Sequence, residues 1–268
     1  MLRYCVLSSG SAGNCVWVQG GGTEILIDCG ISARMTAERL ADVGLELNGV
    51  RAAVCTHGHG DHIKGADVLA RRRGIEIYGT PRTLASIVGT PPPELLHEIV
   101  PGSRFAIGGL CISSVPTMHD APGSSAFVID DGETRLGVLT DLGIVTESVS
   151  RAFENLDGLI LEMNHDEKML EDGPYPWFLK RRIAGAGGHL SNRQSAELLE
   201  RIAHPGLRHL TLAHLSEENN RPDRAMDAAM KALSRLGLCP RISVGSISSA
   251  CEPVEVSGRG QLSLGLGS

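Results

Sequence analysis

Residues 56–65, THGHGDHIKG, place four metal-binding side chains within six positions: His57, His59, Asp61 and His62. This segment follows the apolar run VRAAVCT, which predicts a short buried strand, and it leads into a helical pattern. Side chains two apart in an extended segment point the same way, so His57 and His59 can reach one metal ion together. Asp61 and His62 lie where the chain turns into the helix and can reach a second ion. Imidazole and carboxylate ligands suit zinc, manganese or iron.

The composition limits the other possibilities. The 268 residues carry a net charge of −6, which excludes a broadly basic nucleic-acid-binding surface. The local basic clusters, residues 71–73 and 180–182, are typical of solvated helix faces. Seven cysteines without CxxC spacing, several of them inside apolar runs, indicate free thiols in a reducing compartment. Neither a signal peptide nor a run of ~18 apolar residues is apparent, so we expect a cytoplasmic protein without a membrane partner.

The order of the predicted elements indicates the architecture. Strands occur in antiparallel-looking groups, and each group is followed by helices. We find no repeat of solenoid period, no low-complexity segment and no evident linker. The pattern therefore predicts one domain over residues 1–268, of the α+β class, with helices outside two stacked sheets in a four-layer αββα sandwich.

The segment HGHGDH resembles the HxHxDH signature of the metallo-β-lactamase superfamily, and the early ILIDCG, with Asp28, resembles that family's strand ending in an aspartate. The resemblance implies a metallo-β-lactamase-like fold and three further ligands downstream, which MHD, LTDLG and AHLSEENN supply. By this resemblance one metal is held by His57, His59 and His119. The other is held by Asp61, His62 and His214, and Asp141 bridges both.

The identity of residue 141, an aspartate, helps to distinguish which branch of the superfamily this chain resembles. The zinc β-lactamases with the closest signature place a cysteine at that step and are secreted, so antibiotic hydrolysis is disfavoured. Glyoxalase II-like thioesterases keep the aspartate but add a C-terminal helical domain. The short stretch after His214 reads as one helix plus strands, which weakens the thioesterase interpretation.

Two later segments are similar to those of nucleases. LILEMNHD and GHLSN resemble segments of tRNase Z, and by that match Glu162 and His189 correspond to the pair proposed to protonate the leaving oxygen. We see neither the tRNase Z exosite arm nor a β-CASP insertion. SSGSAGN, YPWFLKRRI and AHLSEENN resemble the compact bacterial YycJ/WalJ-like group, metal-dependent hydrolases for some of which double-stranded DNA exonuclease activity has been proposed. We assign no role to His165, which lies in the NHD part of this pattern.

The resemblance thus implies a hydrolase with two divalent metal ions, which would be zinc, manganese or iron. The most consistent activity is that of a phosphodiesterase or nuclease, such as a DNA exonuclease. As substrate, the resemblance favours DNA more than RNA. A metal-bridging hydroxide would attack phosphorus, with Asp61 orienting it, while Glu162 steers His189 to protonate the leaving group. A small-molecule hydrolase of a thioester, lactone or cyclic phosphodiester is the alternative. A non-catalytic metal-binding protein is disfavoured by the complete ligand set. A basic groove formed by residues 71–73, residues 180–182, Arg193 or Arg221 would favour nucleic acid, and a closed apolar pocket a small substrate.

Overall fold

The computed structural model describes residues 1–256, which contain two seven-stranded sheets and nine α-helices. The strands are β1 (Leu2–Ser8), β2 (Cys15–Gly20), β3 (Thr23–Ile27), β4 (Val50–Val54), β5 (Glu76–Gly79), β6 (Leu96–Glu98), β7 (Arg104–Ile107), β8 (Leu110–Pro116), β9 (Ser125–Asp130), β10 (Arg135–Leu139), β11 (Gly158–Glu162), β12 (His209–Ala213), β13 (Arg241–Val244) and β14 (Val254–Val256). The helices are α1 (Ala33–Asp42), α2 (Gly60–Ile63), α3 (Ala66–Arg73), α4 (Pro81–Ala85), α5 (Glu147–Ala152), α6 (Glu167–Asp172), α7 (Trp177–Ile183), α8 (Asn192–Ile202) and α9 (Pro222–Arg235).

Both sheets are mixed. The first has the order β14-β1-β2-β3-β4-β5-β6, with antiparallel pairing from β14 to β3 and parallel pairing from β3 to β6. The second has the order β13-β12-β11-β10-β9-β8-β7, antiparallel from β7 to β10 and parallel from β10 to β13. Within each parallel part, the carboxyl ends of neighbouring strands share one edge, and the loops leaving those edges carry most of the site residues. His119 instead follows β8, and His189 follows α7.

Apolar side chains fill three interfaces between four layers. Ile25 of the first sheet and Phe127 and Ile160 of the second belong to one buried cluster between the sheets. Leu40 and Leu69, from α1 and α3, pack against the first sheet. A third cluster joins the second sheet to α5, α8 and α9. Burying one such side chain contributes about 1.5–3 kcal/mol, and these interfaces confirm the predicted αββα sandwich.

Helix termini form where their capping residues occur. The Ser191 hydroxyl accepts a hydrogen bond from the Gln194 backbone N–H while the Gln194 side chain accepts one from the Ser191 N–H, so a capping box begins α8.

All five residues of β11 are buried, as expected for a parallel strand covered on both faces. No helix among residues 1–256 combines the length and apolar character needed to cross a membrane.

The proline-rich stretch 81–103 contains a short helix and a short edge strand. Thr80 caps α4 through its hydroxyl, which accepts from the Thr83 N–H, and Pro81 occupies the first helical turn. Further on, β6 pairs with β5 as a three-residue edge strand. Such a short strand is held by main-chain hydrogen bonds and leaves little pattern in the side chains. The sequence also predicts a strand at about 252–264. The structure has β14 at Val254–Val256, and residues 257–264 lie outside the described residues.

Candidate metal centre

Three histidines from different loops converge at the edge of the sandwich. His59 Nδ1 lies 3.0 Å from His57 Nε2 and 3.3 Å from His119 Nε2. The first two follow β4, whereas His119 follows β8, so this cluster joins the two sheets. Their ligand atoms all lie within 4.8 Å of one another, close enough to bind one ion. The structure thus brings together the three residues expected for the first metal.

A second cluster lies beside the first. Asp61 Oδ2 is 3.4 Å from His62 Nε2 and 3.9 Å from His214 Nε2. Asp141 lies between the two clusters, because its Oδ2 is 3.3 Å from His62 Nε2 and its Oδ1 is 3.9 Å from His119 Nε2. All seven residues expected to bind metal therefore share one site.

The donor atoms of this site fit divalent cations. Asp141 Oδ2 and His214 Nε2 are buried and have no hydrogen-bond partner among the described residues. Leaving such atoms unpaired in the interior is unfavourable, and a bound cation would satisfy both. Imidazole nitrogen and carboxylate oxygen are ligands that zinc, manganese and iron accept. The protein therefore offers a site suited to divalent metal without selecting the element.

Electrostatics favour positive charge in the second cluster, that of Asp61, His62 and His214. Burial lowers the pKa of His214, but the surrounding carboxylates, Asp141 foremost, outweigh it and raise that pKa to about 10. Burial raises the pKa of Asp61, yet His214 and His62 lower it overall. Protons and metal ions compete for such ligands, so a cluster that attracts a proton also attracts a metal cation.

Buried hydrogen bonds orient the ligands. Asp28 Oδ2 lies 2.8 Å from His62 Nδ1, and Asp28 Oδ1 accepts from the Thr56 N–H at 2.8 Å. The Thr56 hydroxyl is also 3.0 Å from His57 Nδ1. Contacts to these ring atoms leave the Nε2 atoms of His57 and His62 directed at the metal cluster. This is the outer-shell support that metal-binding histidines generally need.

A second orienting chain reaches the surface. His59 Nε2 is 3.4 Å from Asp120 Oδ1, and Arg182 Nε donates to Asp120 Oδ2 at 2.6 Å. His119 Nδ1 lies 3.1 Å from the Gly188 carbonyl oxygen, which it reaches as a donor. Each interaction leaves the other ring nitrogen for the cluster. The sequence placed Arg182 only in a basic cluster and did not link it to Asp120, because the two lie 62 positions apart.

Three site residues adopt the left-handed backbone conformation. Asp28 and His214 come directly after β3 and β12 with φ of 60° and 55°, and Asp141, just after β10, has φ of 60°. In the described chain only one other non-glycine residue, Asn155, has positive φ. This conformation is unfavourable for most side chains and clusters at functional sites. The backbone conformation at these three residues directs their side chains toward the site.

Glu162 and His189 form the expected pair. Glu162 Oε1 is 2.8 Å from His189 Nδ1 and 3.1 Å from His214 Nδ1. Its other oxygen accepts from the backbone N–H groups of Leu142 and Leu190, at 3.2 Å each. Burial alone raises the pKa of Glu162, but the neighbouring histidines lower it to about 2. Glu162 is therefore a buried carboxylate that orients two histidines.

A cavity of about 320 Å³ opens onto the cluster. It is lined by Ser11, His59, Asp61, His119, Asp120, Asp141, Asn164, Tyr175, Leu179, Arg182, Ile183, Gly188, His189, His214 and Ser216. Of the basic residues considered above, Arg182 alone lines this cavity within residues 1–256. Arg71 pairs with Asp67, and Arg193 pairs with Glu167 and Glu197. The site is thus a polar cavity with one cation at its rim, neither a continuous basic groove nor an apolar pocket.

The sequence analysis missed several supporting residues. Asn14 Nδ2 lies 3.0 Å from His62 Nε2, and Ser9 Oγ accepts from the His214 N–H at 2.7 Å. Asn164 Nδ2 donates to the His214 carbonyl at 3.0 Å. All three lie in SSGSAGN and NHD, segments that resemble the YycJ/WalJ-like group. That resemblance was the signal in the sequence that could have identified them. His165 is buried and absent from the cavity lining, and its Nδ1 has no partner among the described residues.

Sequence comparison agrees with this geometry. A profile for the β-lactamase superfamily domain matches residues 23–214, from the start of β3 to the last histidine of the cluster. The chain belongs to the metallo-β-lactamase superfamily. It is accordingly a hydrolase of that superfamily, as the resemblance of HGHGDH implied.

Similar proteins within the superfamily indicate which of its groups this chain resembles. Exodeoxyribonuclease YycJ from Bacillus anthracis is 30% identical over 239 residues, 88% of this chain and 90% of the relative. Ribonuclease Z from Mycobacterium sp. (strain KMS) is 26% identical over 155 residues, 44% of this chain and 53% of the relative. The crystal structure of the metallo-β-lactamase fold protein YhfI from Bacillus subtilis superposes with a TM-score of 0.68 at 18% identity, covering 93% of this chain and 98% of that one. Both expected resemblances, to the YycJ/WalJ-like group and more distantly to tRNase Z, are confirmed.

Proposed function

We propose that this metallo-β-lactamase superfamily hydrolase is a phosphodiesterase that degrades DNA from an end, using two divalent metal ions. One observation carries the proposal: His189, held by Glu162, lies beside the metal-ligand cluster, with its Nδ1 3.6 Å from Asp141 Oδ1. A proton donor in this position suits a substrate whose leaving oxygen is a poor leaving group. The similarity to an exodeoxyribonuclease across most of both chains supports DNA as that substrate.

We assign the metal ions to the two clusters. His57, His59 and His119 would hold one ion, Asp61, His62 and His214 the other, and Asp141 both. When bound, divalent cations supply Lewis-acid chemistry, neutralising charge on a phosphate and activating water for attack. Zinc, manganese and iron all suit this ligand set.

Asp61 would orient the attacking water. Its carboxylate lines the cavity, and the pKa of Asp61 is lowered, so it is ionised at neutral pH. An ionised carboxylate at the cavity wall can accept a hydrogen bond from the attacking water and orient it toward phosphorus. Asp61 therefore has a positioning role in addition to its place among the ligands.

His189 would act on the leaving group. Because its Nδ1 is engaged by Glu162, Nε2 is the nitrogen available to the substrate, and the side chain lines the cavity. The buried Glu162 carboxylate stabilises the protonated imidazole, which can then give a proton to the departing sugar oxygen. Since Glu162 also contacts His214, it couples this proton donor to the ligand cluster.

The test is hydrolysis by protein loaded separately with zinc or manganese. Its substrates are bis-p-nitrophenyl phosphate and end-labelled single- and double-stranded DNA and RNA. We expect cleavage of bis-p-nitrophenyl phosphate and stepwise shortening of DNA in preference to RNA. Asp61→Asn should abolish both. Asp172→Asn, at an exposed aspartate on α6 that pairs with Lys168, is the matched control and should retain both.

The outcomes separate the candidates. Failure of metal-loaded protein to cleave any phosphodiester would overturn the proposal and direct the search to thioesters and lactones. Cleavage of bis-p-nitrophenyl phosphate without cleavage of any polymer would limit the activity to small phosphodiesters. Preferential cleavage of RNA would retain the reaction but change the substrate.

A further inference from the structure

An exposed aromatic pair begins helix α7. Trp177 and Phe178, the first two residues of α7, are 68% and 69% exposed. The chain has only two tryptophans and four phenylalanines, and Trp17, Phe127 and Phe153 are fully buried. Leaving two large aromatic faces in water is unfavourable unless they bind something. Their position therefore points to a ligand.

The same helix forms part of the cavity wall. Leu179, Arg182 and Ile183 line the cavity, so α7 has one side at the catalytic site and carries the aromatic pair near its start. At a rise of 1.5 Å per residue, Phe178 and Arg182 are about 6 Å apart along the helix axis. That separation is roughly one or two base steps of about 3.4 Å. Phe178 and Arg182 are four residues apart and share one face of α7, with Trp177 and Arg181 in the adjacent row, so a ligand on Phe178 can be continuous with one in the cavity.

Positive charge accompanies the aromatic rings. The Arg181 guanidinium lies over the Trp177 ring, 4.6 Å from its centroid, in a cation–π contact. Arg181 stands in a run of three cations, residues 180–182, of which Arg182 reaches the cavity. We call Trp177, Phe178 and Arg181 the aromatic platform.

We propose that the aromatic platform stacks the unpaired bases of a DNA strand whose phosphate lies in the cavity. The proposal rests on the proposed DNA hydrolysis and extends it to substrate selection. Flat base faces match the rings, and the phosphates between them match Arg181, whereas Arg182 is held by Asp120. Continuity with the cavity favours this occupant over a lipid surface or a protein. The enzyme would then favour a frayed or single-stranded end over a fully paired one.

Tryptophan fluorescence measures the contact directly. Trp17 is fully buried and Trp177 is exposed, so quenching by a ligand reports on Trp177. The probe is a thymidine oligonucleotide with phosphorothioate linkages, added to metal-loaded protein. We expect saturable quenching, which Trp177→Phe removes from the tryptophan signal. Quenching by anionic phospholipid vesicles but not by the oligonucleotide would overturn the proposal in favour of a lipid surface.

Kinetics test whether the contact matters. The substrates are an end-labelled single-stranded oligonucleotide and the same strand with abasic nucleotides at the end that is cleaved. For the wild type we expect the abasic ends to raise KM by about tenfold or more. The double variant Trp177→Ala/Phe178→Ala should show this raised KM with both strands, and Trp177→Phe should keep the discrimination. Met230→Ala, at an exposed apolar residue of α9, is the control and should behave as wild type.

Failure of this proposal differs from failure of the proposed function. A double variant that discriminates against abasic ends as strongly as the wild type would overturn the aromatic platform while leaving DNA hydrolysis intact. Protein that cleaves no phosphodiester would overturn the proposed function, and oligonucleotide quenching of Trp177 would then decide whether the platform binds DNA. Circular dichroism of each variant verifies that it is folded.

Discussion

Asp28 and His62 are joined by a contact of 2.8 Å between Asp28 Oδ2 and His62 Nδ1, with both side chains buried. His62 contributes nothing to the cavity surface, so its ring position depends on this contact and on the Thr56 hydroxyl 3.2 Å away. An aspartate that touches no substrate therefore determines the orientation of a metal-ligand candidate.

Replacing Asp28 with asparagine should weaken metal binding. Asparagine tolerates the left-handed backbone at this position, so the change removes charge and acceptor strength with little strain. We expect the dissociation constant for zinc or manganese to rise about 10- to 100-fold, as measured by isothermal titration calorimetry. Asp42→Asn, at an exposed position on α1, is the control. Unchanged affinity in Asp28→Asn would show that His62 needs no support from Asp28.

Metal should stabilise the folded protein. Because Asp141 Oδ2 and His214 Nε2 are buried and make no hydrogen bond within residues 1–256, the folded state gains from cations that the unfolded chain binds weakly. At a free metal concentration 100 times the dissociation constant, the gain is about 2.7 kcal/mol. We expect chelation to lower the melting temperature by roughly 5 °C or more in thermal unfolding experiments.

Asp141→Asn should lose most of this metal-dependent shift, whereas Asp172→Asn should keep it. Asparagine retains the shape of the side chain but not the charge that makes the carboxylate a strong ligand. Equal shifts in the wild type and in Asp141→Asn would argue that Asp141 binds no metal.

His189→Ala should separate substrates by their leaving groups. Protonation of the leaving oxygen is essential for a sugar hydroxyl and matters little for p-nitrophenolate, which departs readily as an anion. We expect kcat on DNA to fall by about 10²- to 10⁴-fold, with a much smaller effect on bis-p-nitrophenyl phosphate. His97→Ala, on the edge strand β6, is the control. A parallel loss on both substrates would instead give His189 a structural or metal-binding role.

Two phenylalanines offer a matched test of the packing. Phe153 is fully buried between the second sheet and the helices that cover it, whereas Phe178 is 69% exposed. Phe153→Ala should lower the free energy of unfolding by about 3–5 kcal/mol. Phe178→Ala should change it by no more than about 0.5 kcal/mol. Urea denaturation followed by circular dichroism measures both. A large loss in Phe178→Ala would mean that this ring packs against the protein in solution.

Much of the centre could be anticipated from short-range pattern. His57, His59, Asp61 and His62 lie within one segment between a strand and a helix, so their convergence follows from local geometry. His119, Asp141 and His214 could be matched only through their order in the family and their positions after strands. The fold could likewise be anticipated, because its strands and helices have clear periodicity.

The remaining features depend on contacts between distant parts of the chain. Asn14 approaches His62 because β1 and β4 belong to one sheet, and Ser9 reaches the His214 N–H across the two sheets. The bond between Asp120 and Arg182 depends on where α7 packs. Aspartate and histidine adopt positive φ more often than most residues, but only the folded structure determines that Asp28, Asp141 and His214 do so. Such relationships are not encoded in local periodicity.

We propose that seven residues form one centre for two metal ions. Elemental analysis of metal-loaded protein after desalting measures the number of bound ions. We expect about two ions of zinc or manganese per wild-type chain. We expect about one ion in His59→Ala and in His214→Ala, since each substitution removes a ligand from a different cluster. One ion or fewer in the wild type, or full occupancy in both variants, would contradict a centre for two metal ions.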